Sequence, residues 1–213
     1  MSTKKPITLA FIDGENLHLG IKKPIIRRGK KVHPGGELDY RKFRNYLRTR
    51  YGVKKAYVFL GNIPAHKNLY FYLQDCGFEL IMKDVVYYWS SKEKKYKVKG
   101  NVDTDVVLYS VGKLYKSFTD AVFVSGDGDF VSTYDYLSEK GKLRAILAPN
   151  RYNYSSLLNK YHKILHFVSN NTTLLKPKRP GVAVGIKALG MPGHRDKPTL
   201  PNLRKKVNQK GQK

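Results

Sequence analysis

The chain has 213 residues, 41% of them hydrophobic and 12% aromatic, enough for one folded domain with a core plus an appendage. Lys and Arg number 41 against 16 Asp and Glu, a formal net charge of +25. The hydrophobic and aromatic content excludes a chain disordered throughout, and the charge points to a polyanionic partner, with nucleic acid as the default. No apolar run reaches the roughly 18 residues a membrane span needs, so no membrane partner is expected. The single cysteine, Cys76, excludes an internal disulfide and a cysteine-based zinc site. With no leader segment read at the start, the expected location is cytoplasmic.

In chain order, the apolar run 7–12 predicts a buried strand that ends at Asp13-Gly14. A short helix is expected over 15–21. Residues 22–36 read as a basic loop, punctuated by Pro24, Pro34, Gly35 and Gly36. Asp39 caps a helix through Arg50, with Tyr40, Phe43 and Leu47 at helical spacing and Gly52 as its stop. A strand over 56–60 follows, then a helix over 64–76 ended by Gly77. A third strand covers 78–82, with extension toward Trp89, and 90–100 read as a charged turn or hairpin.

The stretch 102–116 fits one helix. Ala121 to Val124 form a strand that runs into Ser125-Gly126-Asp127-Gly128-Asp129. A helix over 130–140, a buried strand over 143–148, a helical segment over 155–162 and a last strand over 164–168 complete the pattern. Alternation of strand and helix predicts an α/β domain around a mainly parallel sheet with helices on both faces. Ligands of such sheets bind beyond the carboxyl ends of the strands.

The composition changes after Asn171. From Leu174 onward there are eleven basic residues and one acid, Asp196. The reading is a domain over 1–170 followed by a disordered basic C-terminal tail over 171–213. The body keeps thirty basic residues against fifteen acids, so it is basic in its own right.

Five of those fifteen acids fall at three places: Asp13, the pair Asp103 and Asp105, and the pair Asp127 and Asp129. Asp13 and Asp127 each follow a strand, so a parallel sheet puts them on one edge. Crowded carboxylates repel one another unless a cation sits between them, and hard cations such as Mg2+ and Mn2+ take oxygen ligands of this kind. Each also has a structural reading. Asp13 before a glycine can be a turn residue, Asp127 or Asp129 can cap the following helix, and Asp103 and Asp105 suit a helix's first turn. Helical positions two apart diverge, so Asp103 and Asp105 should not share one metal, and Asp103 is favoured. The segment from Asp127 is no EF-hand loop, because its twelfth position is Ser138 rather than Glu.

Three segments in order, Phe11-Ile12-Asp13-Gly14-Glu15-Asn16-Leu17, Val102-Asp103-Thr104-Asp105, and Val124-Ser125-Gly126-Asp127-Gly128-Asp129-Phe130, resemble the signatures of NYN domains, in particular the LabA-like branch of the PIN-like nucleases. Ala148-Pro149-Asn150 and Tyr154-Ser155-Ser156-Leu157-Leu158 are similar to this branch too. The resemblance covers about 7–168. It implies a PIN-like, Rossmann-like three-layer sandwich and an RNA nuclease dependent on Mg2+ or Mn2+. It implies Asp13, Asp103, Asp127 and Asp129 as ligands of the metal or its water, Asn16 as a polar partner in catalysis, and Ser125 and Asp105 as supporting groups. Members often carry a further acid about two turns into the second motif's helix, where this chain has Tyr109 and Ser110. The superfamily leaves a homodimer open, although no exposed apolar stripe in the sequence argues for one.

RNA contacts are expected from Arg27, Arg28, Lys30 and Lys31 in the basic loop and from Lys94, Lys95, Lys97 and Lys99 before the second motif. Tyr87, Tyr88, Trp89 and Tyr96 lie among these cations, as base-stacking groups or as ordinary packing. A module of the same fold that binds RNA or the ribosome without cutting is the alternative.

Overall fold

The computed structural model describes residues 6–90, 95–99 and 101–176, with the side chains of 87, 88, 90, 95–99, 172 and 176 outside the description. Its elements follow in order. Strand β1 (Thr8–Asp13) leads directly into helix α1 (Gly14–Lys22), followed by β2 (Ile25–Arg27), β3 (Lys30–His33) and β4 (Glu37–Leu38). Then come α2 (Tyr40–Tyr51), β5 (Val53–Asn62), α3 (Lys67–Asp75), β6 (Glu79–Asp84), β7 (Val86–Ser90) and β8 (Lys95–Lys99). The chain continues through α4 (Asp103–Leu108), β9 (Asp120–Val124), α5 (Val131–Glu139), β10 (Leu143–Ala148), β11 (Leu165–Phe167) and β12 (Leu175–Lys176).

Six strands form one sheet in the order β11-β10-β9-β1-β5-β6, and every neighbouring pair is parallel. Parallel sheets need cover on both faces, and the alternation along β1 shows how it is provided. Ala10 and Ile12 join Leu17, Phe43, Leu47, Leu69 and Leu73 of α1, α2 and α3 in one core. Leu9 and Phe11 join Val106, Tyr134 and Leu137 of α4 and α5 in the other. The result is the expected three-layer α/β sandwich. All six residues of β1 are buried, as befits the central strand.

Topology places the site. From β1 the chain steps outward to β5 and β6, then returns to β9 on the other flank of β1. The order therefore reverses between β1 and β9, and in open α/β sheets the ligand crevice lies outside the carboxyl ends of such a strand pair. Ile12 is in register with Val124, so the residues that follow, Asp13 and Ser125, leave the sheet side by side.

Several local expectations change. The segment 22–36, expected as a loop, contains the antiparallel hairpin of β2 and β3. Arg28 and Gly29 adopt positive φ, 49° and 72°, as a two-residue hairpin turn of matching twist demands. The helix expected over 102–116 ends at Leu108, widens to a π turn over Tyr109–Lys113 and closes with a 3-10 turn. Ser110 turns its hydroxyl onto the Val107 carbonyl there, a side-chain bond that competes with the helix ladder. Residues 64–76 divide into a 3-10 turn and α3, and 156–161 are 3-10 rather than α.

Beyond Asn171 the described chain continues. Leu174 is buried in the first core and β12 pairs antiparallel with β4. The rest of the expected tail, from 177 on, lies outside the described residues. Among the described residues no helix is long and apolar enough to cross a membrane.

Candidate active site

Asp13 ends β1 with its side chain on the same face as Leu9 and Phe11, below the helix pair α4 and α5. It is 6% exposed. Its Oδ1 accepts the Asn16 N–H at 3.0 Å and so caps α1. Its Oδ2 takes the Ser125 hydroxyl at 3.4 Å. The turn reading of Asp13-Gly14 does not hold, since Asp13 is extended and the helix starts at Gly14 itself. Gly14 is there for space: a methyl group on it would lie 3.0 Å from the Phe59 carbonyl oxygen and overlap the Leu60 side chain.

Asn16 ties the two strand ends together. Its Oδ1 accepts the Gly126 N–H at 2.9 Å, while its own N–H is held by Asp13. Ser125, 2% exposed, is the second tie, because its Oγ also accepts the Asp127 N–H at 3.1 Å. Asp127 in turn accepts the Asp129 N–H at 3.0 Å. The capping role near Phe130 thus belongs to Asp127, on a 3-10 turn, while α5 begins without a side-chain cap.

Asp103 opens α4, and Asn101 Oδ1 takes its N–H at 2.9 Å. Asp13, Asp103 and Asp127 line one cleft of about 510 Å³, together with Asn16, Lys23, Asn101 and Asn153. A fourth acid lines it: Glu15, in the first turn of α1. Asp105 does not enter. It points away, 3.0 Å from Lys83 Nζ, as its offset of two helical positions implies. Asp129 is exposed and does not line the cleft, although its charge reaches Asp103.

The crowding appears in the electrostatics. Burial, first of all, pushes the Asp13 carboxyl up to about 6; Asp103, Glu15 and Asp127 add repulsion, and the Asn16 N–H works against the rise. Asp103 is also raised, first by burial and then by Asp127 and Asp129. In a chain of charge +25, this cleft gathers four carboxylates against one lining cation, Lys23, among the described residues.

The donor chemistry fits a hard divalent cation. All four acids offer oxygen, and the energy stored in their repulsion is relieved by a positive ion between them. Among the described residues no group of three or more His, Cys, Asp or Glu side chains stands close enough together to hold a metal ion by itself. Mg2+ does not ask for one: it keeps several waters and is commonly held by one or two carboxylates and the substrate's phosphates.

Of the expected RNA contacts, Arg27, Arg28, Lys30 and Lys31 sit exposed on the β2–β3 hairpin. Lys95, Lys97 and Lys99 fall on β8, which pairs with β7, and their side chains lie outside the described residues, as does Lys94. Tyr109 takes no part in the cleft. Its ring meets Phe59 edge-on, with Lys113 Nζ 4.4 Å from its centroid. Sequence reasoning passed over Glu15, Lys23, Asn101 and Asn153. Glu15 and Asn101 each lie two residues from a motif aspartate, and that proximity was the available signal.

The NYN domain family model matches residues 8–168. The fold is similar to a crystal structure of a protein of unknown function from Vibrio parahaemolyticus, with a TM-score of 0.59 and 19% identity over 79% of this chain and 96% of that one. Comparison with curated proteins gave no match. The match spans β1 through β11 and contains every strand end and helix that carries a cleft carboxylate, and so the chain belongs to the NYN domain family of the PIN-like superfamily.

Proposed function

We propose that the cleft is the active site of a Mg2+- or Mn2+-dependent ribonuclease that hydrolyses phosphodiester bonds in RNA. The observation that carries this reading is the convergence of Asp13, Asp103, Asp127 and Glu15 from separate elements on one cleft at the topological switch point. Such a cluster costs folding free energy unless a cation is bound there. A divalent ion held there supplies an activated water and charge stabilisation for the leaving oxygen.

The chain's own residues do the rest. Asp13, Asp103 and Asp127 hold the ion or its waters, with Asp129 at the edge. Asn16 and Ser125 fix Asp13 and the Gly126–Asp127 backbone, so the carboxylates stay aimed without reorganisation. Lys23 on the cleft wall neutralises a flanking phosphate. Arg27, Arg28, Lys30, Lys31, Lys95, Lys97, Lys99 and the basic segment beyond 176 bind the backbone further out and make affinity salt-dependent. Asp105, paired with Lys83, steadies the start of α4.

A second reading, a module that binds RNA without cutting it, draws on Tyr109. Where the family resemblance leads one to expect an acid, this chain packs a half-buried aromatic ring against Phe59. Glu15 answers that observation in part, since it brings a further carboxylate into the cleft from α1.

Incubation of the purified protein with labelled single-stranded RNA in Mg2+, Mn2+ or EDTA, beside Asp13→Asn and Asp127→Asn, separates the two readings. Cleavage that requires the metal and disappears in both variants, with RNA binding kept, is expected. Binding without cleavage in any metal would leave the second reading.

A further inference from the structure

One cluster beside the cleft is not accounted for by metal binding or by general positive charge. Tyr152 lies in the loop after β10. Arg27, at the end of β2 and 125 residues away in sequence, donates from its guanidinium to the Tyr152 carbonyl and sits with Cζ 5.9 Å from the centre of the Tyr152 ring. Arg151 approaches the same ring, its Cζ 5.8 Å from the centre. Both distances fall within cation–π range.

The loop is built to hold this ring. Asn150, fully buried, accepts the Tyr152 N–H on its side chain at 2.8 Å. The next residue along, Asn153, lines the acidic cleft, and so does Lys23 just before the hairpin that carries Arg27. The Arg27–Tyr152–Arg151 cluster is therefore an extension of the cleft wall, and both arginines are exposed while the ring is half-buried.

We infer that Tyr152 is a base-stacking subsite that selects unpaired RNA strands and seats the nucleotide next to the one cut. Arg27 is fixed by its bond to the Tyr152 carbonyl and backs the ring. Arg151 is the movable partner: an incoming base takes its place on the ring, and its guanidinium turns to the phosphate of that nucleotide. A base inside a duplex has neighbours on both faces and cannot offer one to the ring, whereas a single strand can. The subsite rests on the ribonuclease reading for the identity of the polymer and for the place of the cut, whereas the selection of unpaired strands stands without it.

The test is binding of a fluorescein-labelled single-stranded RNA, and of the same sequence as a duplex, to the full chain in EDTA, where cutting is off. Tyr152→Leu should weaken the single strand by about tenfold, the scale of one lost base stack, and leave the duplex and the salt slope unchanged. Tyr152→Phe should bind as the wild type does. Arg151→Ala should lower the salt slope by about 0.7, one phosphate contact on a single strand. Equal losses on both RNAs, or none on either, would overturn the subsite. Wild-type cleavage with Tyr152→Leu binding unchanged would sink the subsite and leave the ribonuclease reading intact. Selective loss in a protein that cuts nothing would do the reverse.

Discussion

The Ser125 hydroxyl stands beside Asp13, its Oγ 3.4 Å from Asp13 Oδ2, and the same oxygen accepts the Asp127 N–H. One buried side chain thus couples the carboxylate that ends β1 to the loop after β9 that carries the next. Removing it leaves Asp13 Oδ2 without its donor and the Asp127 N–H without an acceptor, while Oδ1 keeps the Asn16 N–H. Ser125→Ala is expected to cost about 1–3 kcal/mol of stability, the scale of a buried unsatisfied group, and to slow metal-dependent cleavage. Urea denaturation and single-turnover rates check both, and a variant with wild-type values would show that the tie holds nothing.

Asp13 sets a pH dependence of known sign. Its folded carboxyl, near 6, lies above that of the unfolded chain, so the folded state holds the proton longer. In the metal-free protein its contribution to stability is full below about pH 4 and is lost as pH rises through 6, by roughly 3 kcal/mol. His18 acts in the opposite sense, because burial, aided by Lys22 and His66, lowers its imidazole to about 4. Asp13→Asn isolates the first effect, since asparagine keeps the capping oxygen for Asn16. In EDTA the variant should be more stable than the wild type at pH 8 and level with it near pH 4. Denaturation curves at the two pH values decide, and a variant less stable at pH 8 would contradict the electrostatic reading.

The second motif offers a contrast within three residues. Asp103 lines the cleft, and Asp105 is bound to Lys83 outside it. Asp103→Asn should reduce cleavage by about 100-fold or more, in line with the loss of a group that stabilises transition-state charge. Asp105→Asn should remain close to wild type, because a half-exposed ion pair contributes little. Initial rates at saturating Mn2+ compare them, and equal losses would show that Asp105 also serves the metal.

Gly14→Ala tests how α1 is seated. The added methyl meets the backbone of Phe59 and the side chain of Leu60, and close-packed interiors yield little. Overpacking of this kind costs about 1–3 kcal/mol. It should also displace Asp13 and Glu15 together, so activity falls along with the melting temperature. A variant as stable as wild type would mean that α1 has room to move.

The framework of the site was legible because its signals are strong ones. The apolar runs that end at Asp13 and before Ser125 are buried parallel strands, and burial on both faces leaves a continuous hydrophobic stretch in the sequence. Asp39 and Gly52 bound α2 as capping chemistry dictates. The β2–β3 hairpin was not legible, because its residues are mostly exposed, four of them are charged and no apolar alternation marks the strands. The end of α4 was hidden since Val107, Leu108, Val111 and Leu114 continue the helical spacing through the π turn. Glu15 was missed for a different reason: an acid in a helix's first turn is what the helix dipole favours anyway, and only the fold reveals that it lines the same cleft as Asp103. The Arg27–Tyr152 contact joins segments 125 residues apart, which no local pattern encodes.

The most direct test of the central claim, that these carboxylates form one metal-dependent catalytic site, is a double-mutant cycle on single-turnover RNA cleavage in Mn2+, with Asp13→Asn, Asp127→Asn and the pair. Groups that act as one unit are grossly non-additive. The account predicts that each single variant loses nearly all activity and that the double variant loses little more than either. Losses that simply multiply, or single variants that cut RNA at the wild-type rate, would contradict it.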